Sequence, residues 1–102
     1  MSGNRNLDKG FRDRADVHIR LANEQCDNAD TANVCASLLF AAARFNAFAV
    51  AAKTTDVEAL KRARAEAIEF FSGQFKAMLE DNFNDQVSNY DKYFPRARGG
   101  SA

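Results

Sequence analysis

The stretch VCASLLFAAARFNAFAVAA, from Val34 to Ala52, is apolar on nearly every side and carries a single charge, Arg44, near its middle. Alanine and leucine favour helix and neither glycine nor proline interrupts the run, so its composition predicts about five turns of α-helix. At about 100° per residue, the only recurring polar stripe is Asn33, Ser37 and Arg44, while Leu38, Leu39, Phe45, Phe48 and Val50 point in most other directions. Such a helix has to be covered on most sides. One candidate cover is lipid, but an arginine at the centre of a span costs roughly 2.5–3.5 kcal/mol, and alanines offset little of it. The longest uncharged run, Thr31 to Ala43, is also short for a span. The stretch therefore reads as the buried core helix of a bundle, with no membrane partner. Rows of alanine, at 36, 43 and 47 and at 42 and 49, would let neighbouring helices approach closely, with phenylalanines filling the gaps.

Working outward, residues 7–28 place Phe11, Ala15, Ala22 and Cys26 on one side, opposite Arg12, Asp16, Arg20 and Asp27, which is the pattern of an amphipathic helix. A short turn around Asn28 to Asp30 follows, with Asp30 or Thr31 as cap, so the first two helices should lie antiparallel. The central helix is expected to end near Lys53. Thr55 with Glu58 then reads as a capping box opening a third helix. Its apolar positions are Val57, Leu60, Ala67, Ile68, Phe71, Phe75, Met78 and Leu79, and its charged pairs are Glu58 with Arg62 and Arg62 with Glu66. Beyond Glu80 the apolar positions rotate to Phe83, Val87, Tyr90 and Phe94, and DNFND at 81–85 is rich in residues that compete for backbone hydrogen bonds. A kink or break is expected there, with a fourth short helix to about Tyr93. The alternative is one continuous helix over 56–94, about 58 Å long at 1.5 Å per residue, which would overhang so small a domain and need a partner chain. Pro95 ends the pattern in either case.

The fold class is thus all-α: an antiparallel bundle of three long helices plus a short or continuous C-terminal segment, forming one domain over 7–95 between tails at 1–6 and 96–102. Lysine plus arginine and aspartate plus glutamate both count 14, so the net charge is zero and gives no electrostatic footprint for nucleic acid. The polar N-terminus directs no secretion, and a cytoplasmic location is expected. In a reducing compartment Cys26 and Cys35 read as free, small buried hydrophobes.

Three strings carry a family resemblance: FRDRADVHIRLANEQ (Phe11 to Gln25), ASLLFAAARFNAF (Ala36 to Phe48) and FKAMLEDNFNDQVSNYDKYF (Phe75 to Phe94). With them the chain resembles a small bacterial, mainly proteobacterial, helical domain family of unknown function. The resemblance implies a stand-alone bacterial protein and brings neither an activity nor functional residues.

The residues themselves offer few chemical constellations. His18, the one histidine, falls in the middle of the apolar face of the first helix and reads as a buried core histidine, with Asn46 its natural hydrogen-bond partner. Arg64 interrupts the stripe of Leu60, Ile68 and Phe71 and can pack its stem while its head reaches water. An alternative reading makes His18, Arg44, Asn46 and Arg64 the lining of a small polar cavity for an anionic ligand, in a binding protein or an enzyme. The residue three before His18 is Ala15, so the Glu-x-x-His pairs of a di-metal bundle site are missing, and His18, Cys26 and Cys35 lack a fourth zinc ligand. No cofactor is implied. Lys61, Arg62 and Arg64 suggest a helix for a DNA groove, but interleaved glutamates make a solvated face the better reading. What remains is a surplus of aromatics, nine phenylalanines and two tyrosines. They cannot all face one small core. A symmetric homodimer, or another protein partner, is therefore expected to cover a surface over Phe70 to Tyr93 that includes Phe70, Phe83, Tyr90 and Tyr93, and the leading function is non-catalytic association.

Overall fold

A computed structural model describes residues 7–95, so the tails expected at 1–6 and 96–102 lie outside the described residues. The described residues are 81% helical, with no strand among them. Its elements are α1 (Phe11–Gln25), α2 (Thr31–Ala51), α3 (Val57–Ser88) and α4 (Tyr90–Tyr93). Residue contacts divide it into two compact units, Met1–Ala63 and Arg64–Ala102.

In the first unit α1 and α2 pack on one another through the connection at 26–30. Arg14, near the start of α1, donates to Asp8 just before the helix at 2.8 Å, and this hydrogen bond holds the exposed Asp8 carboxyl below its ordinary range. The face of α1 read from the sequence is the face that packs: Phe11, Ala15, Ala22 and Cys26 are its half-buried positions. Two of them are alanines, which shield little of a neighbour. The consequence for α2 departs from expectation. Among the described residues only Val34 is buried, and Leu39, Phe40, Phe45 and Phe48 are all more than half exposed. The reason is geometric, since one neighbouring helix covers one stripe and α2 is apolar on several. Its half-buried positions besides Val34 are confined to Asn46 and the Ala49–Ala51 turn.

The start of α3 also differs in detail from the capping box. Asp56, not Thr55, is the residue whose side chain closes the first turn, accepting the Ala59 N–H at Oδ1 over 2.8 Å. Thr54 donates its hydroxyl to the Ala51 carbonyl at 2.7 Å, tying down the end of α2 instead. Glu58 pairs with Lys61 at 3.3 Å rather than with Arg62.

α3 then runs unbroken to Ser88, so the kink expected at 81–85 is not there. Those residues are exposed, and no packing contact forces a bend on them. The Asn82 side chain donates back to the Met78 carbonyl at 2.8 Å, along the helix rather than against it. The break falls later, at Asn89, whose φ of −121° leaves the helical range. Around it Asp85 gathers two donors, the Asn89 amide at 2.8 Å and the Tyr93 hydroxyl. That pair of bonds ties α4 to the last turns of α3.

Three outcomes follow from these local features. Asp56→Ala should lower the unfolding free energy by about 1 kcal/mol in urea titration, whereas Thr55→Ala should leave it nearly unchanged. Gly73 sits mid-helix, and a methyl group added at its Cα would meet nothing within 4 Å, so Gly73→Ala should raise stability by roughly 0.5–1 kcal/mol. The bond to Asp85 raises the Tyr93 phenol above its ordinary 10.0, so its stabilising effect is complete below pH 10 and is lost as pH climbs through the raised value. Tyrosinate absorbance, taken as the difference from Tyr93→Phe, should show that step moving down in Asp85→Asn.

Candidate interaction surface

Of the groups singled out as a polar cavity, His18, Arg44 and Asn46 belong to the first unit and Arg64 to the second. His18 lies on the packed side of α1 between Ala15 and Ala22, yet it is exposed and makes no side-chain hydrogen bond, so it is not a core histidine. With two alanines as its helical neighbours and little overhead, nothing closes on the imidazole. Asn46 is half-buried and does not bond to it. Arg44 is exposed on α2, and Arg64 is exposed in the second unit. Arg44 does line a shallow, open concavity, but its companions there are Ala41, Phe45 and Phe48, all from α2. Among the described residues no three histidine, cysteine or acidic side chains cluster as metal ligands. Cys26 is half-buried and Cys35 exposed, and both are free thiols. Of the basic trio, Lys61 is occupied by Glu58, and Arg62 and Arg64 are exposed on the helix.

What the first unit does present is an apolar stripe along α2. Val34, Leu38, Ala41, Phe45 and Phe48 follow one another at alternating spacings of four and three, the repeat that keeps side chains on one seam of a helix. Val34 is buried and the rest are exposed. The Phe45 and Phe48 rings lie tilted at 6.2 Å between centroids. Reading the sequence for a helix covered all round missed this seam, although the four–three alternation was there to be counted. α2 is also long and apolar enough to cross a membrane by length and composition, with a mean hydropathy of 1.7 over its most apolar 18 residues.

The second unit presents a different pattern. Phe71, Phe75, Leu79, Phe83 and Val87 recur at every fourth residue, a continuous ridge on α3. Phe71 is half-buried and the other four are exposed, Val87 by 76%. Phe70 meets Phe71 edge-on at 5.3 Å, and Tyr90 stacks on Phe94 at 5.1 Å. All four residues expected at an interface, Phe70, Phe83, Tyr90 and Tyr93, are exposed. The flanking charges include both signs, Lys76 and Glu80, whose heads approach to 4.0 Å.

The chain is similar over most of its length to one solved structure, the NMR structure of the protein NB7890A from Shewanella sp. The two share 32% of residues, the match covers 86% of this chain and 94% of that one, and the TM-score is 0.70. No curated protein matches the chain. The family model described as "Protein of unknown function (DUF3144)" matches residues 11–87, and the chain, with its three long helices and its two uncovered apolar surfaces, belongs to that family.

Proposed function

We propose that this is a non-catalytic bacterial protein of the cytoplasm that acts by self-association, as a symmetric homodimer whose interface includes the aromatic surface over Phe70 to Tyr93. The observation that carries the reading is exposure. Of the nine phenylalanines only Phe11 and Phe71 are even half-buried. Burying one such side chain is worth about 1.5–3 kcal/mol, and monomeric proteins rarely leave many of them contiguous in water. The length of α3 adds a second support. Its 32 residues extend about 48 Å, well beyond the 21 of α2, so no other single helix among the described residues can accompany it end to end. Zero net charge leaves two copies without mutual repulsion.

Lipid is the competing cover for α2. The central Arg44, exposed and without an ion pair, carries a cost of insertion that the alanines around it do not offset, and protein is the cheaper neighbour.

Sedimentation velocity and native mass spectrometry on untagged protein, prepared without detergent, should show a species of twice the 11.3 kDa chain mass. A monomer at every concentration, or recovery only from the membrane fraction, would sink the proposal.

A further inference from the structure

We infer that the ridge Phe71–Phe75–Leu79–Phe83–Val87 is a docking surface for the same ridge of a second copy, the two α3 helices crossing at about −50° rather than running side by side. This rests on the self-association reading and gives it a place and a geometry.

The spacing carries the argument. Side chains four apart on an α-helix advance about 40° around it at each step, so this ridge winds about 160° between Phe71 and Val87. A helix lying nearly parallel stays against one side and would leave half of such a ridge uncovered; that arrangement needs the four–three alternation seen on α2. A steeply crossing helix instead meets the ridge along its own inclination. Packing of this class sets four-spaced rows of both helices into each other's grooves, so each partner contributes the same kind of row. The surface is therefore complementary to itself under a two-fold axis, with Leu79 at the middle of the ridge and at the crossing point.

Two further observations select a second copy over a different protein. The charges beside the ridge, Lys76 and Glu80, cancel and offer no complement to a strongly acidic or basic partner. The area is that of a small interface. A fully exposed aromatic side chain presents about 150–250 Å². Phe75 is 51% exposed, Phe83 62% and Tyr90 55%; with Leu79, Val87 and Phe94 they offer several hundred Å² per copy, while Phe70, about 180° around the helix from Leu79, faces away. A stable interface takes about 800 Å² from each partner.

The test uses the full chain with Cys26→Ser and Cys35→Ser. Leu79→Cys in that background should yield covalent dimers with a short bismaleimide, whereas Gly73→Cys, about 120° away around the helix, should not. Separately, Phe83→Asp should weaken dimerisation by about 30-fold or more at unchanged helicity, and Phe45→Asp on α2 should leave the dimer intact. Equal cross-linking at both cysteine positions would overturn the ridge, as would a dimer that survives Phe83→Asp but is lost in Phe45→Asp. In those two cases self-association would stand and only its location would fall. A parent chain that is monomeric throughout would overturn both.

Discussion

An apolar helix needs as many neighbours as it has apolar faces, and α2 has more faces than α1 can cover. The rest of the structure depends on that constraint. α1 brings Phe11, Ala15, Ala22 and Cys26 to the contact, two of them too small to shield a phenylalanine on the opposing helix. Burial therefore stops at Val34 and a few half-covered positions at the far end of α2. Hydrophobic stabilisation within the hairpin is correspondingly small, and most of the apolar area that could stabilise the protein is still in contact with water.

The two surfaces left open are chemically alike and geometrically unlike. Along α2 the side chains hold one seam, which suits a nearly aligned helix. Along α3 they wind, which suits a crossing one. Both patterns contain phenylalanine, so composition alone does not separate them. Spacing does. The same difference explains why a change of stripe beyond Glu80 did not produce a kink: a row at every fourth residue rotates steadily on a straight helix, and no bend is required to rotate it.

Helix identity, the packing face of α1 and the aromatic surplus were legible in the sequence because each is set by local composition and by a period that can be counted. The α1 face survives intact, from Phe11 to Cys26. Exact boundaries were less so. The cap of α3 moved one residue to Asp56, because aspartate and threonine are both capping residues, aspartate the stronger, and the backbone decides which oxygen reaches the Ala59 N–H. The fate of His18 was not legible at all. A wheel gives the direction of a side chain but not the bulk of what it meets, and here Ala15 and Ala22 beside it leave the imidazole in water.

The side-chain bonds that tie the helix ends are short in reach. Arg14 to Asp8, Thr54 to Ala51 and Asn82 to Met78 all close within a turn or two, and even the bond from Tyr93 to Asp85 spans only eight positions. Interactions this local form quickly, because little chain entropy is lost in closing each loop. Helices of this length can therefore flicker into place within microseconds, before any distant partner is found. Under the self-association proposed above, the slow event is then the encounter of two copies whose surfaces are already shaped, and the time it takes depends on how concentrated those copies are.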